Sequence, residues 1–166
     1  MSEHISVAVT GLAWMGSGIG SIESAMEKLF RDAEHEILIT TYAMSSAAVI
    51  FMDWLEASLA KGVLIRFAIN KLADQPLDIA ERIKGLRNSY PHFYLYDYEG
   101  EETQNLHAKV IVADRKVAIV GSSNISRHGF ITNHELALVV RGNSVESIAS
   151  ALDKLFSSPI LTLYKP

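Results

Sequence analysis

The sequence predicts an α/β fold built on a mostly parallel mixed sheet with helices on both faces. Three observations carry that expectation. Apolar runs of strand length alternate with segments of helical period, and the segments between early strands are long enough for right-handed helical crossovers. The strand runs are apolar nearly throughout, as strands covered on both faces are. A chain of 166 residues that is 49% hydrophobic and 20% charged has an ordinary globular composition and can bury a core. With no internal repeat or low-complexity linker, a single domain over 1–166 is the simplest reading.

The elements follow in order. A first strand is expected at 7–10. The glycine-rich run Gly16 to Ser21 then leads into a helix capped by Ser21 and reaching about residue 33, with Ile22, Ala25, Met26, Leu29 and Phe30 on one face. A glycine-rich turn before a helix can bind phosphate. Here the spacing departs from the dinucleotide fingerprint, so an entry loop beside a site is the better reading. Residues 36–43 read as a strand, 44–61 as a helix closed by Gly62, and 63–70 as the next strand. A helix over 74–89 tolerates Pro76 in its first turn, and 92–98 is a strand rich in aromatics. The last helix, 144–156, has core spacing at Val145, Ile148, Leu152 and Leu155.

Between the aromatic strand and the last helix, polar residues of catalytic type interrupt apolar patterns. In Leu106-His107-Ala108-Lys109-Val110-Ile111-Val112 the alternation sets His107 and Lys109 on one side of a strand. Asp114-Arg115-Lys116 supplies a turn, 117–120 a short buried strand, and Gly121-Ser122-Ser123-Asn124 a small polar ending. Such a hairpin brings the end of its second strand near the polar side of its first. An imidazole nucleophile, a lysine charge and hydroxyl, amide or backbone donors for anionic oxygens together suit phosphoryl transfer. An isolated H-x-K pair is usually a solvated strand face; the spacing of the whole set distinguishes this one.

That set, His107-x-Lys109-x4-Asp114-x6-Gly121-Ser122-x-Asn124, resembles the HKD signature of the phospholipase D superfamily, with every defining position filled. The resemblance is firmest over 105–135. It implies a phospholipase D-like fold with one HKD motif in this chain, and phosphodiesterase chemistry with no metal or other cofactor. Carried over, His107 is nucleophile or acid/base, Lys109 and Asn124 hold phosphate oxygens, Ser122 assists at the phosphate or across the subunit interface, and Ser123 joins it in binding substrate. Asp114 and Gly121 are structural. Glu135 orients the histidine through a carboxylate–imidazole hydrogen bond, as the acid of a serine-protease triad does.

A double displacement through histidine needs a nucleophile and a separate general acid, and one imidazole cannot serve on both sides of phosphorus. An obligate homodimer facing two copies of His107 and Lys109 across a two-fold axis is therefore expected. Short one-motif members point to a nonspecific endonuclease on DNA, with single-stranded DNA or RNA also open. Some relatives serve as the cutting part of a larger defence or restriction complex. A phospholipase or other small phosphodiesterase is the alternative within enzymes, for which Trp14, Met15 and Phe130 supply apolar surface. A catalytically silent nucleic-acid or protein binding module is the alternative outside them.

Secondary candidates lie at strand ends, where ligands of open sheets bind: Tyr42, Asn70 and Lys71, of which Tyr42 and Lys71 are expected to line the site. His128 follows the motif closely, and a metal group of His128, His134 and Glu135 matches no regular ligand spacing. The net charge of −4 argues against whole-surface affinity for nucleic acid or anionic lipid. Between 105 and 145, however, Lys109, Arg115, Lys116, Arg127 and Arg141 oppose only Asp114 and Glu135, which makes a local positive cleft plausible. The absence of cysteine excludes disulfides, thiolate metal sites and thiol nucleophiles, and is compatible with a cytoplasmic location. The first residues lack the pattern of a signal peptide. The longest apolar stretch, 47–60, is interrupted by Asp53 and Glu56 and reads as a core helix, so no integral membrane segment is expected.

Overall fold

In the computed structural model, which describes residues 2–166 with the exceptions of 47, 102 and 127 and of the side chains at 128 and 130, strands and helices alternate through the first half of the chain. The order is β1 (His4–Thr10), β2 (Gly20–Ser21), α1 (Ile22–Asp32), β3 (Glu36–Thr41), α2 (Val49–Ala60), β4 (Leu64–Asn70), α3 (Leu77–Ser89) and β5 (Phe93–Tyr98). The second half adds β6 (Val110–Ala113), β7 (Val117–Gly121), β8 (Glu135–Arg141), α4 (Ser144–Phe156) and β9 (Thr162–Leu163). Among the described residues these strands form one sheet in the order β2-β1-β8-β7-β6-β3-β4-β5-β9.

The sheet is mixed, as expected, but its parallel part is smaller than the crossovers alone imply. β3, β4 and β5 pair in parallel, as do β1 and β2, whereas β6, β7, β8, β1 and β9 make antiparallel pairs. Helical crossovers feed the first group; β6 and β7 are joined by the three-residue turn 114–116, and a connection that short permits only an antiparallel pair. Helices cover both faces unequally. Residues of α1, α2 and α3, including Ile22, Phe30, Phe51, Leu55 and Ile83, pack with Ile37, Ile39, Phe67 and Phe93 on one face. On the other, Val145, Ala149, Leu152 and Phe156 of α4 pack with Leu38, Ala68, Val112 and Val140. Within β3, Ile37 and Ile39 therefore serve one core and Leu38 the other, the two-residue period of a strand buried on both sides.

Local chemistry explains the element ends. Ser21 caps α1 as expected, its Oγ accepting from the Ser24 N–H at 3.0 Å. Gly62 closes α2 at φ 87°, where a side chain would be strained. The helix expected over 44–61 starts only at Val49, because Met44 bridges Ile125 and the Ser45 N–H donates to the Ile125 carbonyl; residue 47 of that range lies outside the described residues. The helix expected from 74 starts at Leu77, after a separate 3-10 turn at Leu72–Asp74 and Pro76 as N-cap. Among the described residues no helix is long and apolar enough to cross a membrane.

Two polar assemblies hold the sheet at the β6–β7 turn. Asp114 and Arg115 take left-handed conformations (φ 50° and 53°), and the Lys116 N–H donates to the Ala113 carbonyl at 2.9 Å within the three-residue loop that joins Ala113 to its partner Val117. The Asp114 carboxylate accepts from the N–H groups of Glu34, His35 and Glu36 at 2.9, 2.8 and 2.9 Å, which ties the turn to the start of β3. Burial raises the pKa of this carboxylate, and the three N–H donors outweigh that effect and hold it below its ordinary value of 3.8. Arg115 donates to Glu36, Glu146 and Asp153, and so fastens α4 to the same corner.

Asp114→Ala should destabilise the fold by about 2–4 kcal/mol, the scale for orphaning backbone donors of a charged acceptor, read from urea denaturation. Because the folded pKa is depressed, Asp114 contributes its full stabilisation above 3.8 and loses it as pH falls through the lower folded value. The decline of the urea midpoint in acid should accordingly be shallower in Asp114→Asn than in the wild type.

Candidate active site

β1, β3, β4, β5 and β7 run one way and β6 and β8 the other, so the carboxyl ends of the first group and the amino ends of the second meet at one end of the sheet. Tyr42 follows β3 there, Lys71 follows β4, Lys109 precedes β6, Ser122 to Asn124 follow β7, and Glu135 opens β8. The motif residues come together because antiparallel β6–β7–β8 pairing returns the chain to that end twice.

His107 and Lys109 do not lie on a strand, contrary to the alternation of 106–112. β6 begins at Val110, although the ladder reaches one residue further, with the Gly121 N–H donating to the Lys109 carbonyl at 3.2 Å. The two side chains nonetheless cluster. Lys109 Nζ stands 3.2 Å from His107 Nδ1, 3.4 Å from Nε2 and 3.1 Å from the His107 carbonyl oxygen. The Tyr42 ring packs against the imidazole with centroids 4.7 Å apart, and Lys109 Nζ lies 5.6 Å from the centroid of the same tyrosine. His107 itself is exposed. Burial lowers the pKa of the Lys109 ammonium, and the negative charge of Glu135 partly offsets it.

Glu135 does not make the expected hydrogen bond to the imidazole. It starts β8, two strands from β6, and its carboxylate accepts from the hydroxyl of Ser122 on the intervening strand's end and from Asn133 Nδ2 at 3.4 Å. Ser122 Oγ in turn accepts from the Leu136 N–H at 3.3 Å, which locks hydroxyl and carboxylate together. Ser123, expected to assist at the phosphate, turns inward: it is buried, and its hydroxyl donates to the Asn124 carbonyl at 3.1 Å. Asn124 Oδ1 is buried and accepts from no described residue. Such an orphan costs about 1–3 kcal/mol, and this one sits beside the site.

Gly121 is needed for close approach. A Cβ there would fall 2.6 Å from Ala137 Cβ and 2.8 Å from the Leu136 carbonyl oxygen, both on β8. Lys71 takes a left-handed backbone (φ 48°) and lines a neighbouring pocket with Tyr42 rather than touching His107. His134 Nε2 accepts from the Ala13 N–H at 3.2 Å, and its ring packs on Trp14, so it braces the loop after β1 instead of facing Glu135. The side chain of His128, which was expected close to the motif, lies outside the described residues, as does that of Phe130.

The positive cleft expected from local charge does not assemble from those cations. Arg115 and Lys116 occupy the β6–β7 turn and Arg141 ends β8, all at the opposite end of the sheet; Arg127 lies outside the described residues. Charges close in sequence to Lys109 are separated from it here by whole strands. Conversely, the sequence reading missed Asn133, Gly11 and Gln75. Gly11 (φ 120°) could not carry a Cβ, which would fall 2.9 Å from the Asn133 carbonyl oxygen. Gln75 accepts from the Met44 N–H at 2.9 Å and donates to the Asn70 carbonyl at 2.8 Å, joining the loops after β3 and β4. Its place just before Pro76 was the available signal.

The fold and this site define an α/β protein with a histidine–lysine centre at the end of a mixed sheet. Residues 26–159 match the family described as "Cardiolipin synthase, PLD-like domain", and the chain belongs to that phospholipase D-like phosphodiesterase family. The DISARM protein DrmC of Bacillus paralicheniformis is 30% identical over 133 residues, 80% of this chain and 55% of its own length, so the chain spans about half of that relative. Among solved structures, the phospholipase D family member Nuc of Salmonella typhimurium superposes with a TM-score of 0.78 at 18% identity, over 99% of this chain and 100% of its own. NucT of Helicobacter pylori gives 0.77 at 16% over 98% and 100%. The phosphatidylserine synthase of Haemophilus influenzae Rd KW20 gives 0.73 at 13%, over 98% of this chain and 40% of its own. At these identities the likeness is one of fold.

Gly121→Ala should destabilise the protein by about 1–3 kcal/mol, the cost of overpacking against backbone, measured as a lowered urea midpoint relative to the wild type.

Proposed function

We propose that the chain is a metal-independent phosphodiesterase that cuts nucleic acid, DNA foremost, through a phosphohistidine at a site completed by a second copy of itself. The observation that carries this reading is the contact of the Lys109 ammonium with the exposed His107 imidazole, beside Ser122, Asn124 and Glu135. A ring nitrogen of His107 attacks phosphorus, forming a P–N bond as the P–O bond to the leaving strand breaks. The partner's His107, as imidazolium, gives its proton to the leaving oxygen. Water, deprotonated by that same now-neutral imidazole, then breaks the P–N bond. Lys109 and the amide of Asn124 hold the non-bridging oxygens while charge shifts among them. The Ser122–Glu135 pair keeps a carboxylate near the ammonium.

Two features support a second copy. One chain carries one such histidine, and the chemistry needs two. In addition, the α4 face of the sheet is uncovered along β1 and β8, where Ile5, Val7, Leu136 and Leu138 are exposed side by side next to Glu135. Kinship with a DISARM protein favours a place for the chain in such a system, in keeping with the relatives that serve as the cutting part of a larger defence or restriction complex. A second reading, cleavage of phospholipid, is favoured by an open cleft of about 390 Å³ between Gly11 and Ile131, lined by Trp14, Met15 and Ile19. Likeness of fold to Nuc and NucT, at TM-scores of 0.78 and 0.77, supports the first.

The test is cleavage of plasmid and single-stranded DNA, and of phosphatidylcholine vesicles, in excess EDTA. DNA cutting should survive EDTA and fall by roughly 10³-fold or more in His107→Ala; EDTA-sensitive cutting, or full activity of a species that sediments as a monomer, would refute the mechanism.

Glu135→Gln removes the negative charge that offsets the desolvation of Lys109. If the charged lysine is required, the alkaline limb of the kcat/KM profile should move to lower pH in that variant; an unmoved limb would separate Lys109 from catalysis.

A further inference from the structure

Next to His107, on the β4 side of the site, lies a polar pocket of about 220 Å³ between the loops that follow β3 and β4. Its polar walls are Tyr42, Asn70, Lys71, Asp74, Gln75 and Asn105, and the loop residues Ala43, Met44 and Pro76 complete it. Some of these residues are spent on building it. Gln75 ties the loop at Met44 to the end of β4, and Asn70 Oδ1 accepts from the Leu106 N–H at 2.8 Å, which sets the segment leading to His107. The Asn70 amide also reaches Asn105 Oδ1 at 3.4 Å.

Others are left unspent. Among the described residues, the Tyr42 hydroxyl, the Lys71 ammonium and the Asp74 carboxylate hydrogen-bond to nothing, so the pocket offers a hydroxyl, a cationic donor and an anionic acceptor beside an aromatic ring. Lys71 holds its position through a left-handed backbone that a non-glycine residue adopts only when its surroundings demand it. An acyl chain buried here would strand all three polar groups without partners. A planar heterocycle carrying both donors and acceptors satisfies them and can stack on the tyrosine.

We infer that this pocket seats the base of the nucleotide flanking the scissile phosphate, so that the enzyme cuts strands that are unpaired at that position. The inference rests on the phosphodiesterase reading above and deepens it. The pocket adjoins the histidine through the Tyr42–His107 contact, and a base lodged there cannot also be stacked and paired in a duplex. Cutting within a duplex therefore requires the base to leave the helix first, and a single strand is free of that cost.

The test compares the full chain and a Lys71→Ala/Asp74→Ala variant on three substrates: a fluorescent single-stranded oligonucleotide, the same strand in a duplex, and bis(p-nitrophenyl) phosphate, which has neither sugar nor base. The single strand should be cut about tenfold or more faster than the duplex. The variant should lower its efficiency on the single strand, relative to bis(p-nitrophenyl) phosphate, by roughly fivefold or more, chiefly through KM. Equal cutting of strand and duplex, or an unchanged ratio in the variant, overturns the pocket while hydrolysis of the small diester leaves the phosphodiesterase reading standing. A variant impaired on phosphatidylserine vesicles but not on the strand would give the pocket to a lipid headgroup and equally overturn it. If the wild type hydrolyses none of them, that reading fails, and the pocket is judged by NMR titration with a thymidine trinucleotide and with inorganic phosphate. Shifts at Lys71 and Asn105 with the trinucleotide alone support it; shifts confined to Lys109 and Ser122 with both ligands refute it.

Discussion

The Asp114 carboxylate, accepting three successive backbone N–H groups at the start of β3, is the constraint on which the geometry of the site depends. It lies at the far end of the sheet from the histidine and touches none of the groups there. What it sets is register. With the β6–β7 turn pinned to residues 34–36, Ile37 pairs with Ala113 and Thr40 with Val110, and the loop after β3 is delivered beside the residues that precede β6. Tyr42 then meets His107 because one strand ends where the other begins. A slip of one residue would turn every side chain of β6 to the opposite face. An acid in a phosphodiesterase motif thus acts by holding strands in alignment.

From that register the rest of the site follows strand by strand. β7 returns beside β6 and ends in a glycine tight against β8, and the missing Cβ lets Ser122 reach the carboxylate at the head of β8. β8 runs beside β1, whose last residue, Thr10, pairs with Glu135; the loop beyond it is held by His134 and Trp14. The polar pocket on one flank and the apolar cleft on the other are both consequences of where neighbouring strands stop. Arg115 is the counterpart at the distal corner, where it binds carboxylates from β3 and α4 and keeps α4 on its face of the sheet.

Legibility in the sequence tracked the range of the interaction. Ser21, Gly62 and the spacing of α4 are local signals, and each element they mark is present. The grouping of His107 with Lys109, and of both with the residues after β7, could be read because the hairpin between them is short and its turn chemistry explicit. Glu135 could not be assigned a partner in the same way, since its neighbour is chosen by sheet order: β7 stands between it and the histidine, and Ser122 intercepts the carboxylate. Ser123 illustrates a finer limit, for inward and outward alternate once the strand has ended, and two adjacent serines receive opposite fates. Gln75 accepts from the backbone of Met44, remote in sequence, and only its place before Pro76 hints at a loop role; Asn133 donates to Glu135 two residues on, a contact between side chains that no periodicity announces.

The charges make the same argument in energetic form. Five cations within forty residues read as a basic cleft, yet three of them stand a strand's length from the histidine, beyond the distance at which exposed charges act strongly at physiological salt. What the site has instead is one ammonium at contact range, partly withdrawn from water and kept company by a carboxylate. A charge so placed does little to draw a polyanion from solution, because the chain as a whole is acidic. On the proposed reading it would interact strongly with a phosphate set beside it, because burial lowers the local dielectric. On that reading selectivity would come from shape and hydrogen bonding beside the phosphate, which the two flanking depressions are placed to supply.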